Sequence, residues 1–243
     1  MDSEHRHPRF KRVVLKLSGE AFQGNNESGI DPHYLDQLSI AIQAIWKHDI
    51  EISIVVGGGN FWRGRDANLF GMKQAQADQV GMLATLMNSL ALQGILERDG
   101  LPVRVMSAIP VPSITESYIR RKAIRHLENK NVLIFACGTG SPFFSTDTAA
   151  ALRAAEIDAE VVLKGTNVDY VYAEDPHLNP NAEKYHTISY TEVLSKNLKF
   201  MDSTAVSLCR DNSISIIVFS IKNIDNLHKV FFTDQIGTLI TGI

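Results

Sequence analysis

The sequence predicts an α/β fold built on a mostly parallel sheet covered on both faces. Two observations carry this: short runs rich in Val and Ile recur along the chain, and segments with helical spacing separate them. A third is that small, flexible residues follow several of the runs, at the strand ends where open parallel sheets take their ligands. Residues 12–17 give the first strand. Asp31 as N-cap and Pro32 at the first helical position open a helix with Leu35, Leu38, Ile42 and Ile45 on one face. A strand over 50–56 follows. A long helix over 74–98 ends at Asp99-Gly100, and its Val80, Leu83, Met87, Leu90 and Ile95 are expected to pack on the sheet. Further strands are read at 103–106, 132–137, 160–163 and 214–219. Residues 164–187, with Pro176, Pro180 and three Asn, show no period and read as a long loop. At 230–243 two apolar runs flank Thr233 to Gly237, which predicts a terminal hairpin.

Composition narrows the function classes. The 24 basic and 27 acidic residues leave a formal charge of −3, too balanced for a surface that tracks nucleic-acid phosphates. Residues 1–12 hold no apolar signal segment, and no stretch reaches the ~18 unbroken apolar residues of a membrane span. A cytoplasmic protein with no nucleic-acid and no membrane partner is expected. The two cysteines, Cys137 and Cys209, read as buried thiols, and the eight histidines form no zinc motif, so no dedicated metal site is expected.

Three turns carry the chemistry: Lys16-Leu17-Ser18-Gly19, Gly57-Gly58-Gly59-Asn60 and Gly138-Thr139-Gly140-Ser141. Glycine lets backbone approach a ligand and turn N–H groups toward it, and a following helix N-terminus attracts anions. One such turn only permits a tight bend; three at one sheet edge point to a phosphate cradle. No GxxxxGK[ST] occurs, and Trp62 and Phe143 stand where a GxGxxG would end, which disfavours a P-loop or simple dinucleotide site. Lys16 and Arg63 are the cationic candidates, with a solvated edge residue as the other reading of Lys16. Asp78 and Asp147 read either as site carboxylates or as first-turn helix residues, and Asp175-Pro176 as a site or a plain turn. The run Arg120, Arg121, Lys122 and Arg125 reads as a solvated helix face.

Taken together, VVLKLSGEAFQG, VVGGGNFWRG, ADQVGMLATLMN, MSAIP, GTGSPFFSTDTAA, VLKGTNVDYVYAEDP and the closing GTLI resemble, in order, the bacterial uridylate kinases of the amino acid kinase family. The resemblance implies a three-layer αβα sandwich, one domain over 11–243 after a flexible tail over 1–10. It implies transfer of a phosphoryl group from ATP to UMP with Mg²⁺. Lys16, Leu17, Ser18, Gly19, Gly59, Arg63, Thr166, Tyr172 and Asp175 would face ATP. Gly58, Asp78, Thr139, Gly140, Ser141, Pro142, Phe143, Phe144, Ser145 and Thr146 would hold UMP. Lys16, Arg63 and Asp147 would be catalytic, with Asp147 orienting Lys16 or the metal's waters. A homohexamer and feedback inhibition by UTP are also implied.

Three departures stand out. Ser141 replaces a usual Asn and Tyr170 a usual Gly. Gln93, Glu97 and Asn131 stand where GTP-activated members carry basic residues, which removes support for GTP activation. The alternatives are another kinase of the family acting on a carboxylate or carbamate, and a nucleotide-binding protein of the same fold without turnover.

Overall fold

A computed structural model of the chain describes residues 7–24, 26–63, 70–176, 178–179 and 181–242. Among these, a nine-stranded sheet runs in the order β4-β3-β5-β2-β1-β6-β10-β11-β9. Its strands are β1 (Arg12–Leu17), β2 (Glu51–Val56), β3 (Val103–Ser107), β4 (Glu116–Ser117), β5 (Val132–Ala136), β6 (Val161–Thr166), β9 (Thr187–Ser189), β10 (Ser215–Ser220) and β11 (Thr238–Thr241). All neighbours pair in parallel except β10 with β11. A separate two-stranded ladder joins β7 (Val171–Tyr172) and β8 (Lys184–Tyr185).

Helices cover both faces, as the two-sided apolar strands require. On one side lie α1 (Gly19–Gln23), α2 (Pro32–Trp46), α3 (Gln74–Arg98) and α8 (Asp225–Phe232), which meet Val13, Leu15 and Leu17 of β1. On the other lie α4 (Arg120–Glu128), α5 (Thr146–Glu156), α6 (Tyr190–Ser195) and α7 (Ser203–Asp211), which meet Val14 and Val162. Asp31 caps α2 by accepting from His33 N–H, with Pro32 following it, as the sequence predicts. Both cysteines are buried free thiols, and the charged face of α4 is exposed.

Three expectations are corrected. The apolar run at 230–232 is the last turn of α8, and β11 pairs antiparallel with β10, so no terminal hairpin forms. Leu239 and Ile240 find their cross-strand partners in the core strand Ser215–Ser220 rather than in their sequence neighbours. The stretch 164–187 is not one loop: β6 runs on to Thr166, and β7, β8 and β9 lie within it, while Pro180 falls outside the described residues. The buried residues of α3 are Ala77, Met82, Ala84, Thr85, Leu86, Asn88, Ser89, Leu92 and Leu96; of the expected face Leu90 and Ile95 pack on the core, whereas Leu83 and Met87 are 51% exposed. Small and amide side chains let this helix sit close to the glycine turns, which larger apolar residues would prevent. At the end of the expected tail, Arg9 N–H donates to Phe231 O at 2.9 Å and Phe10 packs on the core. Residues 1–6 lie outside the described set.

Candidate active site

β5, β2, β1 and β6 are adjacent and parallel, so the turns leaving their carboxyl ends share one rim. In β1 and β6 the same tetrapeptide, Val-Val-Leu-Lys, lies side by side, with Lys16 opposite Lys164. Side chains alternate along a strand, so both lysines share the face of Val14 and Val162, toward α5 and α7. There Ser145 caps α5, accepting from the Asp147 and Thr148 N–H groups. Asp147 stands between the lysines: Lys16 Nζ is 2.7 Å from Oδ1 and Lys164 Nζ is 2.5 Å from Oδ2. The Lys16 contact is an ion pair outside hydrogen-bond geometry, while Lys164 hydrogen-bonds both Asp147 and the Phe200 carbonyl.

These side chains are 9%, 13% and 10% exposed for Lys16, Asp147 and Lys164. Burial pushes the Asp147 carboxyl up, but the two ammonium groups outweigh it and hold the group below the ordinary carboxylate value. Burial drives the Lys164 ammonium below its ordinary value, opposed by Asp147 and reinforced by Lys16. Asp202, the N-cap of α7, accepts from the Ser145 hydroxyl, from Thr148 Oγ1 at 2.8 Å and from Ala205 N–H at 2.9 Å. The start of α5 is thus tied to the start of α7.

On one side of this cluster a cavity of about 270 Å³ is lined by Gly58, Asp78, Thr139, Phe144, Ser145 and Thr146, together with Trp62 and Thr85. Asp78 accepts from Gln74 Nε2 at 2.7 Å and from Phe143 N–H at 2.8 Å, fixing a turn in which Phe143 has φ 70°. Gly140, Ser141, Pro142 and Phe143 form the outer part of that loop and do not line the cavity. Ser141 N–H and carbonyl both meet Thr139 Oγ1, at 3.1 Å.

The glycines beneath this cavity answer to packing. A Cβ on Gly19 would lie 2.4 Å from Gly59 N, and one on Gly58 would lie 2.8 Å from both Ala84 Cβ and Gly81 O. Asn60 and Asn88 exchange side-chain amide hydrogen bonds of 2.9 and 2.7 Å, and Asn88 also donates to Gly57 O at 2.7 Å. A buried amide pair therefore pins the triple-glycine turn to α3. Arg63 reaches back over that turn, donating to Gly59 O at 3.1 Å and pairing with Glu20 at 3.2 Å. It sits on the rim beside Gly19 and makes no ion pair with Asp147.

Two further adjoining cavities share residues 197–200. One, of about 350 Å³, is lined by Asp147, Lys199 and Asp202; the other, of about 380 Å³, by Tyr170, Tyr172 and Asp175. Thr166 ends β6 and lines neither. The Leu17 side chain is in the core, leaving only its backbone for a ligand, and Ser18 caps α1 by accepting from Ala21 N–H. Tyr170 packs on His186 and under Lys184 Nζ, 4.6 Å from its ring centre. Lys164, Asp202 and the Asn60–Asn88 pair are the residues that sequence reasoning passed over. For Lys164 a signal existed, the repeated Val-Val-Leu-Lys.

The arrangement suits two anionic ligands meeting at a buried lysine pair. Among the described residues no group of three His, Cys, Asp or Glu could hold a metal ion. Asp147 is already matched by two cations. α3 has the length and hydropathy of a membrane span, yet Asn88 and Ser89 of its buried face are 0% exposed inside the fold.

Comparison with known proteins agrees with this geometry. The sequence profile described as the amino acid kinase family matches residues 11–220. The crystal structure of UMP kinase from Bacillus anthracis superposes with a TM-score of 0.93 at 36% identity, over 96% of this chain and 96% of that one. That of UMP kinase from Ureaplasma parvum gives a TM-score of 0.88 at 39% identity, over 96% of this chain and 99% of that one. With the family profile spanning most of its length and these two structures superposing over nearly all of it, the chain belongs to the amino acid kinase family.

Proposed function

We propose that this protein transfers the γ-phosphoryl group of ATP to the phosphate of UMP, giving ADP and UDP, one step of pyrimidine nucleotide synthesis. The observation that carries the reading is that Asp147, paired with both Lys16 and Lys164, directly follows Ser145 and Thr146 of the cavity holding Asp78 and itself lines one of the two adjoining cavities. Likeness to UMP kinases over nearly the whole chain supports it.

The acceptor is a phosphate monoester whose second pKa is about 6, so near neutral pH it is already largely a dianion. No general base is required. The task is to bring two anions into line and offset negative charge on the transferring group. Lys16 is the cation directed at that group, with Asp147 holding its ammonium in place. The N–H groups of Ser18, Gly19 and Gly59, with Arg63, face the ATP phosphates. Thr166, Tyr172 and Asp175 take the rest of ATP. Gly58, Thr139, Phe144, Ser145 and Thr146 line the UMP cavity, Gly140 to Phe143 form the outer loop that shapes it, and Asp78 accepts from the ribose hydroxyls. Mg²⁺, carried by ATP, supplies further charge compensation; Lys16 and Arg63 supply the protein's share.

UTP would compete with UMP at the acceptor cavity. Gln93, Glu97 and Asn131 offer no cation for a GTP effector. The half-exposed Leu83 and Met87 on α3 give a homo-oligomer, a hexamer of paired subunits, an apolar face to use. A single domain over 11–243 and a cytoplasmic location complete the reading. The test is an ADP-release assay with Mg²⁺-ATP and, in turn, UMP, CMP, acetylglutamate and aspartate. Strong preference for UMP is expected; equal or better turnover of an amino acid would assign the protein to another branch of the family, and binding of UMP without turnover would make it a sensor.

A further inference from the structure

Arg153 on α5 is 4% exposed, and a charged side chain is almost never buried without partners. The transfer chemistry makes no use of it. Its guanidinium lies over the Tyr118 ring, with Cζ 3.8 Å from the ring centre and 6.0 Å from that of Phe135 in β5. Nη1 pairs with Glu156, three residues along the same helix, at 2.5 Å. Stacking and pairing together fix the plane of the group, and Nη2 is left directed at the end of β5, where it donates to the Gly138 carbonyl at 3.4 Å. Gly138 lines the cavity that holds Asp78; Arg153 does not.

That carbonyl belongs to a bend with a conformational cost. Cys137 has φ 63° and Gly138 φ 59°, two successive residues with left-handed backbone. Glycine adopts it freely, but cysteine carries a Cβ that opposes it, so the bend persists only where its surroundings hold it. From the opposite helix layer, Thr85 of α3 accepts from Cys137 N–H at 2.9 Å and donates to the Met82 carbonyl at 2.7 Å. Cys137 is thus held from one face of the sheet and Gly138 from the other. Gly140 N–H donates to Cys137 O at 3.0 Å, so the loop that carries Thr139 to Phe144 starts from this bend. We propose that Arg153 is a positioning residue for the acceptor: by holding Gly138 against the grip of Thr85 on Cys137, it sets where that loop stands over the cavity. The inference rests on the reading of that cavity as the UMP site.

Arg153→Met and Arg153→Lys test it, the second keeping the charge beside Glu156 without the fork that spans Glu156 and Gly138, and so serving where the first fails to fold. Both are expected to raise KM for UMP, and its Kd by calorimetry, about tenfold, with kcat within about threefold and KM for ATP within about twofold of wild type. Amide hydrogen exchange over residues 137–144, measured without ligand, should quicken about tenfold in the same variants. Because Thr85 itself lines the cavity, the shared bend is tested by the pair. Thr85→Val combined with Arg153→Met should raise KM by less than the product of the two single effects, the second release finding the bend already free. Unchanged exchange, a UMP KM within about twofold of wild type, an equal rise in both KM values, or single effects that multiply would each overturn the proposal. Turnover of an acceptor other than UMP by the wild type overturns the substrate assignment, and the KM comparison with that acceptor then decides the role of Arg153. Neither turnover nor binding of any acceptor by the wild type overturns both.

Discussion

The two sides of the lysine cluster are built in different ways. The floor of the cavity beside Asp78 is closely packed: Gly58 leaves no room for a Cβ against Ala84 and Gly81, and the Asn60–Asn88 amide pair locks the triple-glycine turn to α3. The cavities beside Tyr170 and residues 197–200 are made of side chains on the short β7–β8 ladder and on the segment joining α6 to α7, tied to Lys164 through the Phe200 carbonyl. A wall of the first kind holds a small ligand closely. One of the second kind can give way to admit and release a larger nucleotide. The lesson is that precision and access are assigned to opposite walls of one rim.

Substitutions can break or sharpen this contrast, and the largest effect is expected at its centre. Asp147→Asn leaves two buried ammonium groups without their anion and should destabilise the protein by about 3–5 kcal/mol at neutral pH, read by urea unfolding. The sign of its pH dependence follows from the folded carboxyl lying below its ordinary value. That contribution is full above the ordinary carboxylate range and is lost as pH falls through the depressed value, so wild type and variant should converge in acid. A gap that widens in acid would contradict the ion-pair account. Lys16→Ala comes next, lowering kcat on the order of 10²- to 10³-fold while leaving UMP binding, followed by calorimetry, near that of wild type. Near-normal kcat would remove Lys16 from the transfer step.

Asn88→Ala tests the lock on the acceptor side. It strands Asn60 and the Gly57 carbonyl in the interior, and a loss of about 1–3 kcal/mol in unfolding free energy is expected. If the acceptor wall is the rigid one, the same variant should raise KM for UMP more than KM for ATP; the reverse would exchange the roles of the two sides. Asp78→Asn is the mildest. It keeps the turn at Phe143 but weakens acceptance from ribose, so the UMP KM should rise about tenfold with kcat little changed, a shift of ~1.4 kcal/mol.

Much of the fold was legible because its signals are local. Asp31-Pro32 at a helix start, Val and Ile runs and glycine at strand ends each act within a few residues, and each appears where expected. On α3, Leu90 and Ile95 pack on the core as expected, but Leu83 and Met87 were misplaced for a physical reason. Hydrophobic periodicity assumes that apolar residues face the core, yet this helix lies against glycine turns, where Ala84, Thr85, Asn88 and Ser89 allow the approach that Leu83 and Met87 would block. The terminal strand was misassigned because α8 stands between it and its partner β10, and the apolar run at 230–232 belongs to that helix.

What the sequence determined by itself was the inventory: alternating strands and helices, the turns at the strand ends, the lysine after Val-Val-Leu and the acid following a helix cap. Which of these meet was decided by the tertiary structure. Parallel pairing of β1 with β6 sets Lys16 beside Lys164, and the layer of α5 brings Asp147 between them, across separations of 131 and 17 residues in the chain from Asp147 to each. Charge interactions of this kind depend on distance in space and on burial, and neither quantity is written in residue order.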